Sequence, residues 1–390
     1  MKILLVHNSY QQQGGEDTAF ETERDLLRAA GHTVATYART NDEIVLNGLV
    51  SRAKLAVRTV WAGDSYGALE KMVRQERPDV AHFHNTFPLI SPAAYWACAN
   101  AAVPVVQTLH NYRLLCPGGM FFREGRPCED CLGGSVPWPG VRHGCYRNSH
   151  SATGAVATML TAHHVLNTWR DKVNLYVVLT KFAQKKFLEG HFAEEQIAVK
   201  PNCVSPDPGE KKERGEYALF VGRLAEEKGL RLLLAAWARL RAGVTLRIVG
   251  EGPLRQEISK VVLQRKDVSL LNAVRTRQVP ELMHSARFLV FPSIWYEGFP
   301  MVIAEAYACG LPVIAPRLGA MAEILDDGVT GLHFEPGSAE DLAAQVEWAW
   351  THPAELEEMG RNARAEFEAK YTSARNYQAL MQIYERATSR

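Results

Sequence analysis

The run from Ala286 to Gly310 does most to limit what this chain can become. Apolar residues Ala286 to Phe291 stop at Pro292, and a Gly- and aromatic-rich turn, Ser-Ile-Trp-Tyr-Glu297-Gly298-Phe299, follows. Proline's fixed φ and missing N–H suit the first position of a helix, so the pattern predicts a helix from Pro300. A helix start leaves backbone N–H groups without partners, here at Gly298 to Val302, and its dipole end is positive. Such an end receives an anion, a phosphate above all. Glu297 stands before it and Glu305 about a turn and a half inside, where it can accept hydrogen bonds from a ribose. Two carboxylates around a phosphate-binding helix end describe a pocket for a nucleotide sugar.

The rest of the chain reads as the same unit repeated. Ile3–Val6, Thr33–Tyr37, Val80–Phe83 and Val103–Leu109 are predicted strands in the first third, with a polar loop over Asn8–Asp17 and a helix over Thr18–Ala30 that Gly31 ends. Tyr217–Val221, Thr245–Val249, Val268–Leu271, Phe288–Phe291 and Pro312–Ala315 are predicted strands later. Strands separated by helices imply parallel sheets covered on both faces, with ligands outside the carboxyl ends of the strands. The fold class is therefore α/β. With 390 residues, two domains are expected: 1–200, carrying a Cys-rich insertion at 112–150, and 216–372. The Pro-, Gly- and charge-rich stretch from Val199 reads as a linker, placed at 201–215. The segment 373–390 forms a last helix with an apolar stripe at Tyr377, Leu380, Met381 and Tyr384.

A net charge of +1 argues against a nucleic-acid partner. No apolar stretch is long enough to span a bilayer, and the opening residues read as a buried strand rather than a signal peptide. A cytoplasmic protein is expected, with the inner face of the membrane as a second location. The basic stretches Ser51–Val60 and Thr180–Phe187 raise a peripheral membrane contact, against the plainer reading of solvated helix faces. In a cytoplasmic setting the seven cysteines are thiols or metal ligands rather than disulfides. Cys116, Cys128, Cys131 and Cys145 fall in one Gly/Pro-rich region and are read as ligands of a structural zinc, with His143 as a substitute ligand. Thiols packed as small apolar groups, and disulfides, are the alternatives.

Seven residues separate Glu297 from Glu305, and "PS…EGFPMVIAEAYACGLPVIA" resembles the Glu-x7-Glu motif of retaining glycosyltransferases of family four (glycosyl transferases group 1), which have the GT-B fold. The likeness covers essentially the whole chain, most strongly from Lys200 to Trp350. It implies two Rossmann-like domains facing a central cleft, the first on the acceptor side and the second binding the nucleotide sugar. It also implies that the last helix crosses back to the first domain. Arg223 and Lys228, in Phe220-Val-Gly-Arg-Leu-Ala-Glu-Glu-Lys-Gly229, match the pair that holds the donor's phosphates; charge neutralisation there stabilises the leaving diphosphate. The plain reading of Lys228 is an ion pair with Glu226 or Glu227.

Gly250, in Gly250-Glu-Gly252-Pro253, lies by the nucleotide in the family. Gly15, in Gln13-Gly14-Gly15-Glu16, is taken as a phosphate contact. The matching His contacts the donor sugar, so His110 is a catalytic candidate beside Glu297, Arg223 and Lys228. Gly298, Phe299, Pro300, Met301 and Glu305 complete the donor set. Family members usually carry Asp after that His; here it is Asn111. Arg113 is an acceptor candidate, and His82 and His84 rank lower. Leu271–Val274 departs from the family's small-residue pattern near the base.

The implied activity moves a sugar from a nucleoside-diphosphate sugar to a hydroxyl of a glycan or lipid-linked acceptor, in polysaccharide or lipid-linked glycan synthesis. No cofactor is required for the chemistry. The alternatives are a nucleotide-sugar epimerase and a non-catalytic nucleotide-sugar-binding protein.

Overall fold

A computed structural model describes residues 1–11, 14–210, 215–240, 243–274 and 278–389. Gln13 of the glycine loop and residues 211–214 of the expected linker lie outside the described residues. The chain divides into two compact units. The first comprises Met1–Phe121, Cys128–Asn202 and Asn376–Arg390; the second comprises Phe122–Pro127 and Cys203–Arg375.

The first unit holds the parallel strands β1 (Lys2–Ser9), β2 (Thr33–Thr40), β3 (Val80–Asn85), β4 (Val105–Leu109), β7 (Leu175–Val178) and β8 (Ile197–Val199). Their order is β2-β1-β3-β4-β7-β8. A two-stranded antiparallel hairpin, β5 (Phe122–Arg123) with β6 (Arg126–Pro127), interrupts the Cys-rich region. The second unit holds β9 (Tyr217–Val221), β10 (Leu246–Val249), β11 (Val268–Leu271), β12 (Ala286–Val290), β13 (Val313–Pro316) and β14 (Gly331–Phe334), in the order β11-β10-β9-β12-β13-β14. Two parallel sheets with helical crossovers give two Rossmann-like units.

Burial explains why these segments are strands. Ile3 to Val6 are fully buried, as a strand covered on both faces requires. The following His7 and Asn8 are equally buried, so polar groups enter the interior at the carboxyl end of β1. Leu380, Ile383, Tyr384 and Ala387 of helix Ser373–Thr388 pack with Ile3, Leu5, Phe20, Val80, Val106 and Val177 in the first unit's core. In the second unit one core layer is built on Leu219, Leu289, Ile303 and Tyr307, and another on Phe220, Trp237, Ile248 and Phe288.

Three expectations need correction. Helix Gly15–Ala29 starts three residues before Thr18, because Gly14 caps it and donates its N–H to Asp17 Oδ2 at 2.8 Å. Helix Met301–Ala308 begins one residue after Pro300, whose ψ of 89° leaves it as the cap; its carbonyl accepts from Ile303 N at 2.9 Å. The stretch read as linker from Val199 begins inside the fold: Lys200, Asn202, Cys203 and Val204 are buried.

Candidate active site

Strand order in the second unit reverses between β9 and β12, and the crevice outside their carboxyl ends is where an open parallel sheet binds ligands. The loop after β9 carries Arg223 and the 3-10 turn Glu226–Lys228, which ends at Gly229 with φ of 71°. A Cβ at position 229 would stand 1.9 Å from the Pro292 carbonyl oxygen, so only glycine permits this approach. The Glu227 carbonyl accepts from Ile294 N at 2.9 Å, with Ser293 Oγ 3.2 Å away, and this fastens the two loops together. As a result Lys228 Nζ donates to Glu297 Oε1 at 2.7 Å. Ser293 Oγ and Trp295 Nε1 donate to the same oxygen at 2.7 and 2.8 Å.

Lys228 therefore pairs with Glu297 rather than with Glu226 or Glu227. Glu227 instead receives the guanidinium of Arg223, whose side chain is half exposed. The ammonium also lies 5.3 Å from the centre of the Phe291 ring and 5.6 Å from that of Trp295, within cation–π range. Motif spacing identifies Lys228 and Glu297 separately. Their contact depends on the close approach at Gly229, which the motif does not display.

Beyond Glu297 the amides of Gly298, Phe299, Met301 and Val302 carry no intrachain hydrogen bond among the described residues. They are free to receive an anion. Gly250 sits at the matching turn after β10, with φ of 152°, and a Cβ there would lie 1.9 Å from Gly222 O. Arg255 joins that turn to the expected base region, donating to Gly250 O at 3.0 Å, Leu271 O at 3.2 Å and Asn272 Oδ1 at 2.5 Å. Sequence reading passed over Arg255, which has no motif signal. Glu305 is half-buried, and burial pushes its pKa up to about 7. A carboxylate in this state gains from hydroxyl donors such as those of a ribose.

The first unit's sheet reverses between β1 and β3. Gly15 opens the helix there and is exposed. Beside it is a residue the sequence reading did not single out. Glu16 accepts from Asn85 Nδ2 at 3.0 Å and Asn111 Nδ2 at 3.3 Å. Burial, then the neighbouring Asp17, raise its pKa to about 8, against the opposing effects of Arg113, Asn111 and Tyr10. An amide at 111 donates to Glu16 in either protonation state, whereas a carboxylate there would compete with Glu16 for ionisation.

His110 follows β4, and its Nε2 is 3.1 Å from His84 Nδ1. Burial, then His7, Lys200 and His82, lower its pKa well below the ordinary histidine range. His84, Asn85, Gln107, His110, Asn111 and Arg113 line one pocket of this unit. Arg113, read as an acceptor contact, stacks 4.3 Å from the Phe87 ring centre and 5.2 Å from that of Tyr146, and donates to Pro117 O at 2.8 Å. It thus braces the Cys-rich region. His82 is internal, with Tyr384 OH and Thr108 Oγ1 each 2.8 Å from its two nitrogens.

A Cys131 thiol pKa of about 12 results from burial and from the nearby thiols of Cys116, Cys145 and Cys128. Gly140 N donates to Cys131 Sγ at 3.2 Å. Among the described residues it is Glu23, His82 and His84, and not the four cysteines, that place ligand atoms within 4.8 Å of one another. Lys200 Nζ stands 2.5 Å from Glu23 Oε1, so an ammonium already holds the charge a cation would need.

Residues 13–208 match the model of Glycosyltransferase Family 4, and residues 205–366 match that of Glycosyl transferases group 1. An uncharacterized glycosyltransferase of Methanocaldococcus jannaschii, MJ1607, is 30% identical over 275 residues, 69% of this chain and 66% of the relative. The D-rhamnosyltransferase WbpZ of Pseudomonas aeruginosa is 29% identical over 200 residues, 50% of this chain and 52% of the relative. The chain spans about half the length of the first curated relatives it matches. Among solved structures, Anabaena Alr3699/HepE in complex with UDP-glucose superposes with a TM-score of 0.71 at 18% identity, covering 99% of this chain and 100% of that one. With one family model covering half of its residues, a second covering most of the remainder, and the GT-B fold throughout, this chain belongs to glycosyltransferase family 4.

Proposed function

We propose that the protein transfers a sugar from a nucleoside-diphosphate sugar to an acceptor hydroxyl with retention at the anomeric carbon. The observation that carries this reading is the Lys228–Glu297 pair set beside open backbone amides at the switch point of the second sheet. In the second unit Lys228, Arg223 and the amides from Gly298 to Val302 receive the diphosphate and Glu305 the ribose; in the first unit His110 takes a substrate hydroxyl. The acceptor oxygen attacks C1 on the face the diphosphate leaves. The C1–O bond to the diphosphate breaks, and the acceptor's proton passes to a diphosphate oxygen. Cations and amides stabilise the charge that develops there.

Three donors converge on Glu297 Oε1 and hold the carboxylate in place. Its part is to fix Lys228 and to meet the sugar with its other oxygen. The test is a melting series with UDP, GDP and ADP and their sugars. One family of nucleotides should raise the melting temperature, and Lys228→Met should abolish the rise. No response to any of them would overturn the reading, and an inverted anomeric centre in the product would overturn the stereochemistry.

The acceptor is a glycan or lipid-linked glycan, reached at a membrane surface. Among the described residues no helix is long and apolar enough to cross a membrane. However, helix Leu49–Val60 leaves Leu49 82%, Val50 70% and Val57 69% exposed, beside the exposed Arg52 and Lys54. Apolar side chains among basic ones suit an anionic bilayer. Helix Lys181–Glu189 offers less, since Lys186 is tied to Glu129 and Glu189 at 2.9 and 2.8 Å.

A structural zinc in the Cys-rich region is the companion proposal. Residues 112–149 place Phe121, Glu124, Arg147 and Asn148 at positive φ, conformations that persist only where surroundings enforce them. Cys116, Cys128, Cys131 and Cys145 are the thiols that would hold the ion. Zinc favours thiolates over thiols, removing the cost of ionising a group such as Cys131.

A further inference from the structure

Beneath His110 the first unit buries a row of polar groups that the transfer chemistry does not use. Lys200, just beyond β8, and Glu23, on helix Gly15–Ala29, form an ion pair whose members are 0% and 2% exposed. Lys200 occupies Glu23 Oε1 at 2.5 Å. Glu23 Oε2 faces His84 Nε2 at 3.5 Å, and neither atom has a hydrogen-bond partner among the described residues. His84 Nδ1 in turn meets His110 Nε2 at 3.1 Å. His82 contributes nothing to this line, as both of its nitrogens are engaged.

These facts restrict where protons can sit. A buried carboxylate oxygen without a donor is costly, and the nearest ring nitrogen that can relieve it is His84 Nε2 at 3.5 Å, since His82 Nδ1, 3.8 Å from the same oxygen, is held by Tyr384 OH. Neutral imidazole carries a single N–H. Once that proton is on Nε2, His84 Nδ1 can only accept, and the group facing it is His110 Nε2. The same rule applied to His110 leaves its Nδ1 without a proton.

We propose that Glu23, anchored by Lys200, sets the tautomer of His110 through His84, so that His110 presents Nδ1 as an acceptor to a substrate hydroxyl. Glu23, Lys200 and His84 are positioning residues. The tautomer claim stands on the free protein, whereas its use toward a substrate hydroxyl rests on the function proposed above. Burial, then His82, His110, His7 and Lys200, keep His84 neutral, as the relay requires. The other ionisable groups around it are His7, which is paired with Asp17 at 2.8 Å, and Tyr384, bonded to His82.

Nitrogen-15 spectra of the ligand-free full chain, labelled at histidine, test the relay. In the wild type His110 should show a protonated Nε2 and an unprotonated Nδ1. Glu23→Gln alone strands a buried ammonium and risks misfolding, so the double variant E23Q/K200M is compared as well. In that variant His110 should become a mixture of tautomers. A protonated Nδ1 in the wild type, or an unchanged tautomer in the folded double variant, overturns the proposal. The binding arm uses UDP and UDP-glucose. The preference for UDP-glucose over UDP should fall about fivefold in E23Q/K200M, the worth of one ordinary hydrogen bond, with affinity for UDP unchanged. An unchanged preference overturns the substrate half of the relay. If neither nucleotide binds the wild type, the functional reading fails instead, and the spectra still decide the tautomer.

Discussion

Glu305→Gln should stabilise the ligand-free protein while weakening its hold on a nucleotide. Burial raises the Glu305 pKa from 4.5 to about 7. An acid raised in the folded state binds more protons there than when unfolded, so stability falls as pH rises through that window. The penalty is absent below about pH 4.5 and complete above about pH 7. The whole shift corresponds to about 3 kcal/mol. Glu305 is only half-buried, so solvent screening reduces this to about 1–2 kcal/mol. Glutamine has the same shape and no charge, so the variant should melt roughly 3–6 °C higher than wild type at pH 8.5. At pH 5 the two should melt together.

A ligand hydroxyl that donates to Glu305 must favour its ionised form, so nucleotide binding near pH 7 should release about half a proton from wild type. E305Q should release none from this site. Calorimetry in buffers of different ionisation enthalpy reads the release. Equal melting at both pH values, or the same proton release from the two proteins, would refute the assignment of Glu305 to a desolvated ribose site.

Other outcomes follow from the same geometry. Lys228→Met leaves Glu297 buried without its cation and should cost about 3 kcal/mol of stability by denaturant titration, with K228M/E297Q recovering most of it. Asn111→Asp sets a second carboxylate against Glu16. It should destabilise the protein by about 1–2 kcal/mol at pH 9 and much less at pH 6, where Glu16 is protonated in the fold; equal losses at both pH values would remove Glu16 from that contact. Protein purified without added metal should carry about one zinc per chain by elemental analysis, and Cys131→Ser should lower both zinc content and melting temperature. Metal-free protein of normal stability would reject the zinc. Leu49→Ser/Val50→Ser should reduce sedimentation with anionic vesicles at least severalfold while leaving nucleotide binding intact, and unchanged sedimentation would clear this helix of any membrane role.

What was legible in the sequence was set by short-range chemistry, and what was hidden was set by contacts across long separations. The second unit's site could be read because each part is local: a strand, a glycine that tolerates close approach, then a loop or helix end. The same grammar located Arg223, Lys228, Gly250, Glu297 and Glu305. It missed β7, β8 and β14: runs of three or four residues carry too little period to be told from loop or helix on their own, and the equally short β10 and β13 were read because a glycine turn or the Glu-x7-Glu segment stands beside them. It also misjudged Lys200. A lysine beside Pro201 and Asn202 has the composition of a linker, and only Glu23, far earlier in the chain, turns it into a buried ion pair. Glu16 was obscured likewise, since its donors Asn85 and Asn111 come from two other loops.

The substitution of Asn for Asp at 111 shows why such distant partners matter. Taken alone it removes a negative charge from beside His110. With Glu16 in contact, the carboxyl group has changed its place in the chain but not its neighbourhood, and two such groups there would compete for ionisation. The residue after His110 therefore cannot be judged from the motif. It must be judged with Glu16, to which Asn111 donates, so that a search for related chains should expect Glu at 16 together with Asn at 111.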